Sequence, residues 1–558
     1  LRGIGTIRTL MLLDGRRVAP STRFGTVDIA LFPRNLIQRV EVVTGGASAS
    51  YGSDAVSGVV NVILDDQFTG LRTQAQAGIA EPGDFENLET GFTFGTRLGE
   101  KSALLLSAEY FRASGIRGYD SRSWYDGQAA ILNPDPAGPR EIIARDVRST
   151  NYTYGGLITS GPLAGTEFIE GGVAVPFERG ALYTSQTQSG GSGVNPAADH
   201  VWLLPDQQRL SAFARLRTQP TATTSIYAQL LAGRTRNDFG KEPPALWGAW
   251  EATIHADNAF LPEAIRGEMQ DRGLASFRLG RAASRGEIGD TRAHLVSDLL
   301  SGTVGWDWHM PDWSLGGYYQ YGHNHTVIGY DEVVRLDRIY RAIDAVVDPD
   351  SGEIICRSTL TFPDDGCVPL NLFGPWSASR EAAAWVTEGD TAQVQDVHQQ
   401  VAELTLNGNL PWRTVAPVSL AAGLSWRREA VNAHAPRHPA SLDGLVVPPA
   451  DTQGYRGLPP SYTNNTNIFE RVSVTDLTGH YNVHEAFGEA LVPLLRNRPL
   501  AERLDLHGAL RIARYSGSGT VGAWRLGLDW QVLPALRLRA TRSRDIRAGS
   551  LSDRYDYS

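Results

Sequence analysis

Two cysteines are the residues of this chain whose possible chemistry is clearest. Cys356 and Cys367 lie eleven positions apart and are the only cysteines among 558 residues. A disulfide between them would close a short loop and stabilise it by about 3 kcal/mol in the chain-entropy model. Free thiols and a two-cysteine metal site are the alternatives, but no third ligand stands at zinc-like spacing. We therefore predict a disulfide, in an oxidising compartment.

Two histidine pairs have spacings that occur in metal sites. His323 and His325 would share one face of a strand, because side chains alternate with period two. His434 and His438 have helical spacing, but Pro436 between them would break a helix. The twelve histidines are scattered along the chain, which favours ordinary polar roles facing a lumen or on loops. We predict no metal site and no bound cofactor.

A run of small residues at 45–52 has the composition of a phosphate-binding loop, whose glycine amides converge on an anion. No Gly-Lys-Ser or Gly-Lys-Thr follows the run, and residues 1–100 contain no lysine. Neither a Gly-x-Ser-x-Gly elbow nor a His-Glu-x-x-His motif occurs in the sequence. The sequence therefore predicts neither a nucleotide site nor a hydrolase, and we expect a protein that is not an enzyme.

Composition and charge remove several protein classes. The net charge is −9 with no long basic run, so no nucleic-acid partner is expected. Mean hydropathy is −0.24, and no window approaches the roughly 18 consecutive apolar residues of a membrane-spanning helix. What remains is a β protein rich in glycine and aromatic residues. It is either soluble or a membrane barrel, because barrels distribute their apolar residues by alternation.

From Leu71 onward, apolar and polar residues alternate as they do in strands with one apolar face. In the clearest stretch, 521–530, Trp524 and Leu526 share one face while Arg525 takes the other. The pattern predicts thirteen strands, at 71–79, 87–97, 101–113, 207–218, 222–236, 292–309, 313–327, 394–410, 414–428, 481–493, 502–514, 520–531 and 534–545.

The lengths of the connections decide between a soluble sheet and a membrane barrel. Connections after even-numbered strands are short, whereas four of those after odd-numbered strands exceed 50 residues. In an up-and-down sheet the long loops then lie on one side, which is typical of an outer-membrane barrel. Tryptophans at the short turns suit an aromatic girdle, although tryptophans in a sandwich core are an alternative. These are Trp306, Trp308, Trp313 and Trp412. The predicted external loops are 114–206, 237–291, 328–393 and 429–480.

Residues 1–67 are predicted to form a small α/β unit. An apolar run ends at an Asp14–Gly15 turn, and Pro33 opens a short helical stretch at 34–38. The segments 12–18 and 33–64 resemble the plug domain of TonB-dependent outer-membrane receptors. The matching motif residues are Arg39, Glu41, Gly45, Gly46, Tyr51, Gly52, Gly58 and Asn61. Farther along, 366–374 and 542–548 resemble recurrent barrel segments in one branch of this family.

The resemblance implies a mainly β fold, an up-and-down antiparallel transmembrane β-barrel preceded by part of a small α/β plug domain. A 22-stranded barrel encloses a lumen wide enough to carry a plug. The family barrel is expected to have 22 strands, and about 13 of these are present in this chain. Residues 1–67 would be the C-terminal part of the plug and 68–558 a partial barrel, in a fragment of a longer receptor. The charged faces of the last strands would point at the plug. These faces carry Arg511, Arg525, Arg537 and Arg539.

The resemblance also implies a place in the outer membrane of a Gram-negative bacterium, with lipid around the barrel. The TonB complex would act through an upstream segment absent from this chain. The cargo would be a scarce siderophore, cobalamin-like compound, saccharide or peptide, with binding residues unknown. Aromatic residues of the loops are the plausible contacts, namely Tyr152, Tyr154, Trp202, Trp247, Trp250 and Tyr330. A passive porin or autotransporter-type barrel and a soluble β-rich carbohydrate-active protein are the competing hypotheses.

Overall fold

The computed structural model describes residues 3–195, 201–289, 291–387, 391–411, 415–435, 456 and 476–556. Trp412, His438 and most of the predicted loop 429–480 lie outside the described residues. The chain builds an N-terminal unit, residues 3–64, and a large sheet of long strands, which we call the wall. The N-terminal unit packs on one face of the wall, and we call that face the inner face.

The N-terminal unit is a small α/β structure around a four-stranded sheet. Its elements are β1 Thr9–Leu13, β2 Arg16–Arg17, β3 Ile37–Thr44, helix α1 Ser48–Tyr51 and β4 Gly58–Leu64, with 3-10 turns at Thr6–Arg8, Ile29–Leu31 and Arg34–Leu36. The strand order is β2-β1-β4-β3, with β1 and β4 parallel. Asp14 and Gly15 both have positive φ, 50° and 77°, as a two-residue type I′ hairpin requires.

The helical stretch predicted at 34–38 is shorter in the structure. It is a single 3-10 turn at Arg34–Leu36, because Ile37 already pairs with Leu64 at the start of β3. Leu36 is 1% exposed and packs between the N-terminal unit and the wall. Leu36 therefore helps to fix the unit against the sheet.

The wall is one antiparallel sheet of thirteen strands. They are β5 Gly70–Gly78, β6 Asn87–Leu98, β7 Ser102–Ala113, β16 Asp206–Thr221, β17 Thr224–Gly240, β21 Arg292–His309, β22 Trp313–Asp331, β25 Thr391–Leu410, β26 Val418–His434, β27 Leu477–Arg498, β28 Ala501–Tyr515, β29 Gly519–Leu533 and β30 Leu536–Arg544. Neighbours in the sheet are neighbours along the chain, from β5 at one edge to β30 at the other. The mainly β class and the thirteen predicted strands are confirmed.

Side chains alternate between the two faces of the wall, as the sequence pattern predicts. On β28, Arg511 is 4% exposed on the inner face. Its neighbours Leu510 and Ile512 are 55% and 51% exposed on the outer face. On β29, Leu526 likewise faces outward and is 53% exposed. A continuous exposed apolar band is unfavourable in water, so this face suits a hydrocarbon environment.

Three of the long connections share one hydrophobic core, which we call the loop core. Ile158, Ile265 and Ile339 come from the three predicted loops 114–206, 237–291 and 328–393, and none is more than 3% exposed. The three loops therefore form one packed body instead of separate flexible segments. Among the described residues, no helix is both long enough and apolar enough to cross a membrane.

The loops contain short strands and helices of their own. These are strands β8 Ala129–Leu132, β9 Glu141–Ala144, β10 Val147–Ser149, β11 Leu157–Ile158, β12 Thr166–Ile169, β13 Val173–Pro176, β14 Arg179–Ala181, β15 Thr187–Gly191, β18 Ala245–Leu246, β19 Ala252–His255, β20 Ser276–Ala282, β23 Ala345–Val347 and β24 Ile354–Cys356, and helices α2 Glu263–Asp271, α3 Leu336–Ile343 and α4 Arg380–Val386. Five 3-10 turns accompany them, at Tyr119–Ser121, Gly161–Leu163, Glu170–Gly172, Gly248–Trp250 and Arg357–Leu360. A further helix, α5 Leu551–Tyr555, follows β30.

The disulfide links the end of β24 to a residue that packs against the loop core. Cys356 ends β24, is fully buried and is bonded to Cys367, which packs against the loop core. Since the bond closes a loop with a sequence separation of 11, we expect the C356A/C367A variant to lose about 3 kcal/mol of loop stability. Urea unfolding of the loops measures the loss. On intact cells, neither thiol should react with an alkylating probe unless a reductant is added, and labelling without reductant would contradict the prediction.

Candidate functional site

The small-residue segment, residues 45–58, is the part of the N-terminal unit that meets the wall most closely. Gly45 and Gly52 have backbone φ angles of 90° and 95°, which residues other than glycine rarely adopt. Between them, α1 makes a single turn whose Ser48 and Ala49 are buried. The segment therefore presents backbone groups, instead of bulky side chains, to the inner face of the wall.

Arg511 on the inner face of β28 receives these backbone groups. Its Nη2 donates to the carbonyl of Ser50 at 2.7 Å and its Nε to the carbonyl of Ala49 at 3.2 Å. Its Nη1 pairs with Glu485 Oε2 at 2.5 Å, and both side chains are less than 10% exposed. The guanidinium also lies 4.3 Å from the centre of the Phe487 ring. This cation holds the C-terminal end of α1 to the wall.

A second set of charged contacts lies beside the first, partly within the N-terminal unit and partly across the interface. Arg17 binds the carbonyl of Ser53 at 2.6 Å and the Asp54 carboxylate at 3.2 Å. From the wall, Arg427 Nη2 reaches Ser53 Oγ at 3.4 Å and Nη1 pairs with Glu429 at 3.4 Å. Because both arginines converge on residue 53, this point of the small-residue segment is held from two sides.

Glu429 is the acceptor around which the wall side of this network is organised. Tyr481 Oη donates to its Oε2 at 2.5 Å, and Gln399 Nε2 donates to its Oε1 at 3.1 Å. A cavity of about 590 Å³ borders these three side chains, Arg17 and Asp54. The interface therefore combines buried ion pairs with a cavity between the N-terminal unit and the wall.

Asp545, just beyond the end of β30, makes the third contact with the small-residue segment. Its Oδ1 accepts the backbone N–H of Ser48 at 3.0 Å. A Cβ atom at Gly46 would overlap its carboxylate, so any other residue there requires the Asp545 side chain to move. Nothing in the sequence pattern pairs residues almost 500 positions apart, which is why sequence reasoning missed this contact.

The opposite side of the N-terminal unit is also fixed by charged side chains. Arg16 donates to Tyr227 Oη and to Gln229 Oε1, each at 3.0 Å. Arg215 of the wall pairs with Asp14 at the tip of the β1–β2 hairpin. The unit is therefore attached to strands on both halves of the wall.

Three motif residues form a chain of contacts inside the N-terminal sheet instead of touching the wall. Arg39 pairs with Glu41 at 2.9 Å. Glu41 accepts from Asn61 Nδ2 at 3.3 Å, and Asn61 Oδ1 accepts the backbone N–H of Gly15 at 2.8 Å. These residues tie β3, β4 and the hairpin together.

The other motif residues lie in the small-residue segment. Tyr51 ends α1, and burial together with the nearby carboxylates of Glu489 and Glu41 raises the pKa of its hydroxyl. A Cβ at Gly52 would lie 2.9 Å from Arg17 Nη2. Gly58 starts β4 with a φ of 143°.

The aromatic residues predicted as ligand contacts do not form one cluster. Tyr152 lies 6.0 Å from Trp247, measured between ring centres. The guanidinium of Arg117 lies 4.7 Å from the centre of the Trp202 ring, and the ammonium of Lys241 lies 4.8 Å from the centre of the Tyr330 ring. The two that remain are placed differently, because Trp250 packs against the loop core and accepts a hydrogen bond from Tyr340 while Tyr154 is half-buried.

The prediction that His323 and His325 are lumen or loop residues is wrong. Gln320 and Thr326 of β22 contact the N-terminal unit, so the odd-numbered residues of this strand face outward. Both histidines bind Asp396 Oδ1, at 2.8 and 2.9 Å, on the outer face. Across the described part of the chain, no group of three metal-ligating side chains is arranged to hold a metal ion.

Family models and solved structures match most of the chain. Residues 1–59 match the model of the TonB-dependent receptor plug domain, and residues 263–558 match that of the TonB-dependent receptor-like β-barrel. A ferric enterobactin receptor from Pseudomonas aeruginosa, in complex with enterobactin, is 14% identical with a TM-score of 0.50, covering 99% of this chain and 56% of its own. For the siderophore receptor PirA from Acinetobacter baumannii the values are 12%, 0.47, 98% and 55%.

The chain thus spans little more than half the length of the solved structures that it matches. The first of these supports the fold, and the barrel model covers more than half of the present sequence. Together with the N-terminal unit seated on a wall of thirteen antiparallel strands, this identifies the chain as a member of the TonB-dependent receptor family.

Proposed function

We propose that this protein is a TonB-dependent transporter of the Gram-negative outer membrane, which takes up a scarce ligand with energy from the inner-membrane TonB complex. Receptors and transporters make up its family. Residues 1–67 would act as part of the plug and 68–558 as part of the barrel. The TonB complex would act on the plug through a segment upstream of residue 1.

The observation that carries this proposal is the docking of the small-residue segment by buried charges. A passive porin needs an open lumen, whereas here Arg511, paired with Glu485, donates to backbone carbonyls of the N-terminal unit and holds them against the inner face. Such contacts are specific, yet each can be exchanged for water when the unit moves. A regulated transporter requires this combination, and a porin or a soluble carbohydrate-active protein does not.

Cargo recognition is assigned to the side of the wall that carries the long loops. The loop core holds three loops in one body, which can present a preformed binding surface. One of the similar structures holds enterobactin, a siderophore ligand. The cargo classes for this chain are ferric siderophores, cobalamin-like compounds, saccharides and peptides.

Deleting residues 45–58 from the full-length protein should abolish regulated uptake and leave a leaky pore, because this segment is the part of the unit that Arg511, Arg427 and Asp545 hold in place. Uptake is measured in cells with four probes: ferric enterobactin, cyanocobalamin, a maltooligosaccharide and a decapeptide. The intact protein should take up one of them, and a protonophore should stop that uptake because it removes the energy source.

Replacing Glu100 and Lys101 with alanine, in the exposed short turn between β6 and β7, is the control and should leave uptake unchanged, because this turn belongs neither to the small-residue segment nor to the long loops. Normal, protonophore-sensitive uptake by the deletion variant would contradict the plug assignment. Uptake by the intact protein that resists the protonophore would favour a passive pore.

A further inference from the structure

The residues that follow β30, the last strand of the wall, touch the small-residue segment through side-chain and backbone groups together. Asp545 Oδ1 accepts the N–H of Ser48 at 3.0 Å, while Ser48 Oγ lies 3.2 Å from both the N and the O of Ile546. The carbonyl of Ile546 also accepts the N–H of Asp54 at 3.3 Å. Two consecutive residues of the wall therefore bind both ends of the segment's central turn.

The Asp545 carboxylate is itself held in position. Ser543 Oγ donates to its Oδ2 at 2.6 Å, so its other oxygen is directed at Ser48. The chain beyond it is fixed as well, because Leu551 of α5 is buried with wall residues Tyr481 and Tyr515. An acceptor that is oriented in advance loses little freedom when it binds an amide.

Gly46 shows how closely the two parts approach. Its φ is not in the left-handed region, so backbone conformation alone does not require glycine. Glycine matters here because a Cβ would overlap the Asp545 carboxylate and force it to move. Gly46 and Asp545 are thus complementary in shape, and a change at one has consequences that depend on the other.

We propose that Asp545 is a positioning residue. Its carboxylate binds the small-residue segment, holds it against the end of β30 and keeps the lumen closed. This inference rests on the proposed function, because it assigns a role within the plug–barrel contact. Arg511 and Arg427 hold carbonyl and hydroxyl groups of the same segment. Asp545 is the wall carboxylate that holds one of its N–H groups, so the segment is gripped through donors and acceptors alike.

The test is a double-mutant cycle on the full-length protein in outer-membrane vesicles. Hydrogen exchange at residues 46–54 reports docking of the segment, and entry of vancomycin into cells reports leakage. D545A should raise exchange of this segment about tenfold and admit vancomycin, whereas D545N keeps an acceptor oxygen and should change exchange less than threefold. G46A should also raise exchange about tenfold, because the added methyl group displaces the carboxylate.

The decisive result is the combination of the two changes. In D545A/G46A the overlap is gone, so exchange should stay within threefold of the exchange in D545A alone. Independent effects would instead multiply to about a hundredfold above the exchange in the unchanged protein. G508A, where a Cβ meets no atom within 4 Å, and D135A, which removes a carboxylate that binds a loop amide, are matched controls and should change nothing. Unchanged exchange in D545A, or effects that multiply in the double variant, would overturn this role of Asp545. Neither readout involves the cargo or TonB, so failure here is distinguishable from failure of the uptake proposal.

Discussion

Replacing Arg511 with alanine should undock the small-residue segment and make the protein leaky. The substitution leaves Glu485 buried without its partner, and the carbonyls of Ala49 and Ser50 lose their donor. Breaking a buried ion pair from one side costs about 3–5 kcal/mol, because the remaining charge stays desolvated. We expect a loss of that size in the free energy of docking, measured by urea titration with hydrogen exchange of residues 45–58 as the readout.

R514A is the matched control for R511A. Arg514 lies on the same strand three residues away, but it is exposed on the outer face. Its removal should change docking by less than about 0.5 kcal/mol. The double variant R511A/E485A removes both charges and should recover at least 1 kcal/mol of the loss. Equal effects of R511A and R514A would show that the inner face does not hold the segment.

The R281A variant should loosen the loops while leaving the wall folded. Arg281 of β20 forms an ion pair with Glu287 in which the side chains are 2% and 1% exposed, and it donates to the carbonyl of Gly374 at 3.2 Å. Glu287 in turn accepts the N–H groups of Ser284 and Ala378. Two loops are joined by this pair, so we expect a loss of about 3–5 kcal/mol in the stability of the loop core.

Arg278 provides the control on the same strand, because its side chain is 64% exposed and its nearest carboxylate, on Glu251, is 3.7 Å away. R278A should change loop stability by less than about 1 kcal/mol. In R281M/E287Q the charge is gone, and the single amide oxygen keeps an acceptor for one of the two backbone N–H groups, so part of the loss should be recovered. Thermal unfolding measures the stability of the loops. Whether the wall stays folded in detergent at low temperature measures the stability of the wall. Unfolding of both together in R281A would contradict a separate loop core.

The sequence predicted the wall well because each strand carries its own local signal. The predicted and observed bounds of 292–309 are identical, and Arg511 was expected to face inward from the alternation of β28. The position of His323 shows the limit of this signal. Alternation says that His323 and His325 share a face, but the choice of face depends on contacts made by Gln320 and Thr326 with the N-terminal unit.

The contacts of the candidate site were predicted less well, because they join residues that are far apart in the chain. The motif indicated that Gly46 is special, yet its reason is a carboxylate at Asp545. The buried pair of Arg281 and Glu287 lies within six residues, but charged residues at such spacing are common on exposed loops as well. Only the fold shows which of them are buried.

The shared loop core also limits how this receptor can change during evolution. A receptor with independent loops can acquire a new ligand by exchanging one of them. Here an exchange of 237–291 alone would remove Ile265 and Arg281 from beneath their neighbours and leave apolar side chains of the other two loops uncovered. If the loops bind the cargo as proposed, new specificity would come from substitutions on their surface or from exchange of all three loops together.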